Sequence, residues 1–485
     1  MTLYTDTTRD ILDKSISFRS YIAIGLGAII GIGWVIYAGY WLRDGGPVGA
    51  MLGFILCGLF LLPVGKCYAE LTAAIPVAGG EAAFTYKAFG PFVSFLTACA
   101  LALSYIAITP FETIAIGALV EAMFPALISE PLYQVGGYTV RVSNLLPGII
   151  LGAFLILLNC LGARSSTGFQ TLVLAALALC ALVFISVALV KGDVANLTPM
   201  FSTGGSLWIA APASIIPVLV VAPYFVAGFD AIPQAAEEAG VAMTPHRIGI
   251  AILLCIVLGA VFYALIILAL GMSSTPGQLE AILQDRDAMP TAEIFRLAFG
   301  YEWAAQLVLF AALLGLLTTL NGFYIASSRL LFALGRGGML PHWFAKVDVR
   351  HGTPVNAILF VGAISLIGPP IGKAALVPIV TSGSLAFVAA LLMTCLAALR
   401  LRTTHPDMDR PYRTGKPVMY CGVAVSAILV LLMVVPGSPG QLRPLEFAII
   451  GAWMCLGVAG YCLRRSVRDM DTERQTYLIL GDEKN

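Results

Sequence analysis

Twelve stretches of this chain are long and apolar enough to cross a hydrocarbon core about 30 Å thick as helices rising 1.5 Å per residue. They lie near 21–42, 47–69, 91–124, 146–163, 168–190 and 210–235, then near 248–271, 303–335, 356–372, 374–400, 417–436 and 445–463. In lipid every backbone amide must be bonded inside the protein, so such a chain is confined to a bundle of spanning helices. Composition agrees: 59% of the 485 residues are hydrophobic and only 11% are Asp, Glu, Lys or Arg. A soluble domain carries about a quarter charged residues. The 49 glycines and 27 prolines are spread through the apolar runs, which predicts broken helices whose freed backbone faces protein or water.

A net charge of +1, with no basic-aromatic patch, argues against nucleic acid as a partner. The ten cysteines lie in or beside apolar runs at neither metal-ligand nor loop-disulfide spacing, and read as small hydrophobes. No motif calls for a cofactor or a metal. The first twenty residues lack the apolar core and cleavage site of a signal peptide, so Tyr21 to Leu42 is expected to stay as the first span.

Alternating sides along the span list place only seven of the 28 Lys and Arg residues opposite the N-terminus: Arg43, Arg141, Lys191, Arg286, Arg296, Lys373 and Arg443. The threefold excess on the other side, which includes Arg464, Arg465, Arg468 and Lys484, predicts cytoplasmic termini and a multi-pass location in a plasma or inner membrane.

The third and eighth spans are unusually long, and the first and sixth carry glycines in mid-membrane. Spans one to five and six to ten therefore read as two copies of one pattern, the mark of an inverted-repeat secondary transporter. The expected organisation is a tail at 1–20, repeats at 21–192 and 208–402, two added spans at 416–464 and a tail at 465–485. The fold class is thus an all-α integral membrane protein of twelve helices, a five-plus-five inverted repeat with discontinuous helices 1 and 6, plus two C-terminal helices.

Gly31-Ile32-Gly33 falls near the middle of the first span, where missing Cβ atoms let the helix unwind and present bare amides and carbonyls. The sixth span reads Tyr224-Phe225-Val226-Ala227-Gly228-Phe229-Asp230-Ala231-Ile232-Pro233, with Pro233 suited to the first turn of a new half-helix. Close helix packing would also use such glycines, but two breaks in equivalent spans favour a binding site. An acidic residue in mid-membrane is costly and marks function, which singles out Glu112 and Asp230.

In these motifs the chain resembles the amino acid–polyamine–organocation (APC) superfamily. Further support comes from Pro76-Val77-Ala78-Gly79-Gly80-Glu81 leading to Phe89-Gly90-Pro91, from Asn159-Cys160-Leu161-Gly162, and from Ser327-Ser328-Arg329 with the run Gly335 to Pro341. The resemblance covers nearly the whole chain. It implies that a substrate carboxylate meets amides near Gly31, Ile32 and Gly33, while its amino group meets carbonyls near Ile29 and at Phe225, Val226 and Ala227. Tyr224, Phe229 and Phe323 fall where related exchangers place gating or lining aromatics. Set against the arginine–agmatine exchanger branch, Thr109 and Glu112 fall in the side-chain pocket. That placement predicts Glu112 as counter-ion to a second cationic group, and hence a basic amino acid, diamine or polyamine as substrate. A neutral amino acid or ethanolamine-type symporter is the alternative.

Asp230 matches an acidic residue that many members carry, with a proton-linked gate or a helix cap as its expected role. Proton-driven members often hold a lysine where this chain has Leu177. Three couplings therefore stay open: exchange alone, a proton on Asp230 or Glu112, or sodium held by hydroxyls such as Thr318 and Thr319. The segment Pro76 to Phe89 reads as a short amphipathic or re-entrant piece of the inner gate, with Ala82-Ala83-Phe84 replacing the family's Tyr-x-Tyr. Glu237 and Glu238 and the cluster Arg329, Arg336, Lys346 and Arg350 read either as salt bridges of that gate or as solvated loop charge.

An embedded enzyme is disfavoured, because His246, His342, His351 and His405 all fall in loops at no zinc spacing and no nucleophile elbow or P-loop is present. A transporter-derived sensor would add a long soluble tail, and a channel would need a continuous polar path. The expected partners are a small amino acid or amine, a possible coupling proton or sodium ion, and the bilayer, with the protein a monomer or homodimer.

Overall fold

The computed structural model describes residues 9, 11–285, 289–438, 440–463 and 470–481. Arg286, Arg464, Arg465, Arg468 and Lys484 of the charge assignment lie outside the described residues, as do 1–8 and 10 of the first tail and 465–469 and 482–485 of the last. The side chain of Lys373 does too.

Among the described residues eleven helices are long and apolar enough to span a membrane, and the shorter apolar helix Val355–Ile371 occupies the place of the ninth expected span. The first crossing is broken: α1 (Phe18–Ile29) stops, and α2 (Gly33–Ile36) resumes after three residues. The helical run α3 (Ala38–Ala74) holds both the end of the first crossing and all of the second. They are divided at Gly46, whose backbone (φ 68, ψ 167) only glycine adopts readily, just before Pro47.

Next come α4 (Glu81–Phe89), α5 (Pro91–Met123), α6 (Val142–Cys160) and α7 (Ala163–Lys191). The sixth crossing is broken into α8 (Leu207–Val226) and α9 (Ala231–Gln234). Then follow α10 (Pro245–Ser273), α11 (Pro276–Gln284), α12 (Pro290–Phe299), α13 (Glu302–Arg336), α14 (Val355–Ile371), α15 (Lys373–Thr404), α16 (Lys416–Val434) and α17 (Pro444–Leu463), with a last helix at Thr472–Leu480.

Burial separates these helices. In α13 every residue from Leu314 to Arg336 is buried, so polar residues on it must find partners inside the protein. In α17 only Glu446 is buried, which leaves an apolar helix at the periphery. The segment α4 departs from the amphipathic expectation: seven of its nine residues are buried, because it is wedged among α5, α15 and the end of α13. The connections carry structure of their own: an antiparallel hairpin, β1 (Pro131–Val135) and β2 (Tyr138–Arg141), links α5 to α6, and the short helices α11 and α12 link α10 to α13. His246 sits in the first turn of α10 rather than in a loop.

Both described ends of the chain meet on one face. The Ile16 amide donates to Glu238 O at 2.9 Å, the Gly240 amide to Ile16 O at 3.0 Å, and Arg9 Nε to Leu478 O at 3.3 Å. We call this the terminal face.

Candidate functional site

The two broken crossings touch at their breaks. The chain leaves α8 at Ala227 (ψ 148), and Gly228 (φ +128) brings it so close to the first break that a Cβ there would lie 2.7 Å from Ala28 C and 2.8 Å from Ile29 N. Departure from the helix strips the last carbonyls of α8 of their i+4 donors, leaving the negative end of a helix dipole at the break. On the other side, the amides of Ile32 and Gly33 bond to no backbone carbonyl.

Beside this contact lies a cavity of about 430 Å³, lined by Ile29, Gly31, Ile32 and Gly33, by Tyr224, Phe225, Ala227, Gly228 and Asp230, by Glu112, and by Thr319 and Phe323. Thr109, Val226, Phe229 and Thr318 do not line it. Thr109 turns its hydroxyl to Ile106 O at 3.1 Å, and its carbonyl accepts from Ser365 on α14. Phe229 is buried edge-on against Tyr68, with ring centroids 5.4 Å apart. The hydroxyl of Thr318 donates to Gly315 O at 2.9 Å within its own helix, whereas that of Thr319 donates to Gly27 O at 3.0 Å. Leu177 is fully buried.

Sequence reasoning missed several lining residues, among them Tyr37, Tyr105, Tyr263 and Ser384. Tyr263 bears directly on the expected amine site. Its hydroxyl donates to Ile29 O at 3.0 Å, and the Gly31 amide donates to the same oxygen at 3.2 Å. Both lone pairs of that carbonyl are therefore engaged.

The two singled-out acids have opposite surroundings. Glu112 is buried, its Oε2 is sealed without a partner, and no Lys, Arg or His lines the cavity. Asp230 is fully provided for: Oδ1 accepts the Gly228 amide at 2.9 Å, and Oδ2 accepts the Tyr105 hydroxyl. Although Asp230 precedes α9, its side chain does not cap it.

Between the cavity and the terminal face lies a dense seal. Gln234 donates to Glu81. Glu238 pairs with Arg329 at 2.7 Å, both side chains being sealed from solvent, and Glu237 pairs with Arg336 at 2.7 Å and with Arg9 at 3.1 Å. Burial pushes the Glu237 carboxyl up, but the charge and hydrogen bonds of Arg336, then Arg9 and the Ala78 amide, outweigh it and hold it below the usual carboxylate range. Lys346 and Arg350 are exposed and take no part. A second knot joins Glu70 to Arg402 at 2.7 Å and Arg410 at 3.1 Å.

A bundle of spanning helices with two facing breaks, a cavity at their meeting point and a seal on one side is the architecture of a membrane transport protein. The sequence model of the Amino acid permease family matches residues 16–459, and the chain belongs to that family, within the APC superfamily. It is 26% identical to a branched-chain amino acid permease of Bacillus subtilis over 452 residues, 91% of this chain and 90% of the relative. It is 33% identical to the chloroplastic cationic amino acid transporter 9 of Arabidopsis thaliana over 359 residues, 71% of this chain but only 59% of that longer protein. It is also 25% identical over 489 residues to a methylthioribose transporter of Bacillus subtilis, covering 95% of each.

Proposed function

We propose that this protein carries amino acids or related amines across its membrane by alternating access, with a preference for substrates bearing a distal cation. The observation that carries the preference is Glu112: a carboxyl in an otherwise uncharged wall except for Asp230, with one sealed oxygen unpartnered. A buried acid without a partner is costly, and a substrate ammonium or guanidinium in the cavity would pair with the carboxyl once it turns toward the space that Glu112 lines. The substrate's α-amino group would lie at the carbonyl end of α8 and its carboxylate at the amides of Ile32 and Gly33, each at the helix terminus of opposite polarity.

Two five-helix repeats, 21–192 and 208–402, with 416–464 outside them, fit the broken first helix of each half and the long third helix of each, α5 with 33 residues and α13 with 35. The excess of Lys and Arg on the terminal face supports cytoplasmic termini in a plasma or inner membrane. In that orientation the structure is sealed toward the cytoplasm. Asp230 and Glu112 are the cavity's proton-bearing groups and support proton coupling; the Thr318 and Thr319 hydroxyls donate to carbonyls and keep their oxygen lone pairs, so sodium stays the alternative coupling ion.

The largely apolar wall (Ile32, Val220, Val221 and Phe323) favours a second reading, a neutral amino acid. Uptake of labelled lysine, putrescine and alanine into proteoliposomes by the wild type and Glu112→Gln separates them. A lysine-to-alanine ratio that falls at least tenfold in the variant is expected, and an unchanged ratio overturns the preference.

A further inference from the structure

Close to Asp230 but outside the cavity lining is an acid that substrate binding does not use. Glu81 opens α4 and is completely buried. Its Oε2 accepts from Gln234, whereas Oε1 and the Tyr68 hydroxyl are both sealed from solvent without a well-formed hydrogen bond, and Tyr68 favours the charged acid only enough to offset burial in part. Among the described residues the groups that act on it are neutral or acidic. From α3 comes Tyr68, from α5 Tyr105, from the second break Asp230, and from α15 Thr394 and Cys395 behind Tyr68. The arginines of α13 are committed elsewhere, Arg329 to Glu238 and Arg336 to Glu237. Among the described residues the last helix hydrogen-bonds to α4 through Gln475 and Thr476 at Tyr86.

An ionised carboxylate in that site would be buried and close to a second acid, so burial and then the Asp230 charge push Glu81 well above the usual carboxylate range, against the smaller opposing pull of its own backbone amide and Tyr68. The closed seal therefore favours the neutral acid. The same contacts that close the terminal face also shut Glu81 in: the Gly79 amide donates to Gln234 O at 3.4 Å, the Ala78 amide to Glu237 Oε2 at 2.9 Å, and Gly80 abuts Pro233. Parting α4 from the second break would remove Gln234 and admit water, which favours the carboxylate.

We propose that Glu81 is the residue that carries the coupled proton, taking H⁺ from the cavity side by way of Asp230 while the terminal face is sealed and releasing H⁺ there when the seal parts. One proton joins one carboxylate oxygen and the same proton leaves it, with no other bond changed. This rests on the alternating-access reading above, which supplies the opening of the seal, but not on the identity of the substrate.

The test uses the full chain in proteoliposomes with labelled lysine and alanine, comparing accumulation driven by an imposed pH gradient with counterflow exchange at equal pH. In the wild type a gradient is expected to drive accumulation. In Glu81→Gln the ratio of gradient-driven to exchange uptake is expected to fall at least tenfold. A wild type that exchanges substrate but ignores the gradient overturns the proposal and leaves the transport reading standing. A wild type that moves none of these solutes sinks that reading and the proposal with it. Should Glu81→Gln fail to fold, Glu81→Asp keeps a proton site on a shorter stem and is expected to shift the pH profile of uptake. A profile identical to wild type overturns the role of Glu81.

Discussion

Arg329 grips both oxygens of Glu238, Nε to Oε1 at 2.7 Å and Nη2 to Oε2 at 3.0 Å, although the two residues stand 91 positions apart. The pair joins α13 to the segment after the second break, and the Glu238 carbonyl also holds Ile16. Arg329→Ala would strand a buried carboxylate, a loss of about 3–5 kcal/mol when one member of such a pair is removed. A clear fall in melting temperature of the purified protein is expected, with Arg329→Lys recovering only part because a lysine cannot make the two-pronged contact. A lysine variant as stable as wild type would show that charge alone suffices.

Glu237 gives the seal a pH dependence of definite sign. Its folded carboxyl lies below the unfolded value, so its contribution is complete above the unfolded carboxylate pKa, about 4.3. That contribution is lost as pH falls through the lower folded value. Melting temperature measured from pH 7 to pH 3.5 is expected to hold near neutrality and drop at the acid end, more steeply in the wild type than in Glu237→Gln. Parallel curves for the two proteins would show that Glu237 does not set the acid limb.

Gly228 and Gly451 make a matched pair. A methyl at Gly228 would run into the backbone of Ala28 and Ile29 at a strained φ, whereas one at Gly451 on the exposed α17 meets nothing within 4 Å. Gly228→Ala is expected to abolish uptake, because backbone cannot yield as a side chain can. Gly451→Ala should leave uptake intact and change stability by about 0.4–1 kcal/mol or less in the favourable direction. Normal uptake by Gly228→Ala would mean that the breaks need not stay in contact.

Tyr263 competes for the carbonyl assigned to the substrate amine. Tyr263→Phe would free one lone pair of Ile29 O, and one net hydrogen bond of about 0.5–1.5 kcal/mol corresponds to a KM for amine substrates about 2- to 10-fold lower. A higher KM would mean that the hydroxyl itself contacts the cargo.

Much of the cavity could be read from the chain because backbone breaks are a local property. Gly31 to Gly33 and Gly228 lie in apolar runs that cannot afford an unsatisfied amide, so the runs themselves announce where the helices open, and Glu112 and Asp230 stand out by charge alone. The wall between them was less legible. Along α5 the cavity takes Ser104, Tyr105, Ile108, Phe111 and Glu112, a stripe at helical spacing of three and four. Thr109 is one step round the helix and meets α14 instead. Nothing in the residues fixed that rotation. Phe229 was lost for a related reason: where the helix is unwound, neighbouring side chains diverge, and this one goes to Tyr68. The hairpin is signalled by Gly136-Gly137 between β-forming residues, a two-residue turn pattern.

The sequence by itself determined that the chain lives in a bilayer, where its spans run and where two of them break, since length, hydropathy and glycine act within a few neighbouring residues. Only the tertiary structure decided which acids have partners. Glu237 and Glu238 look alike in the chain as surface charge, yet each is neutralised by an arginine 99 or 91 positions away. Glu81 and Glu112, buried just as deeply, keep an oxygen unbonded. Pairing depends on which helix faces which and at what rotation, a property of the packed bundle that no local pattern carries.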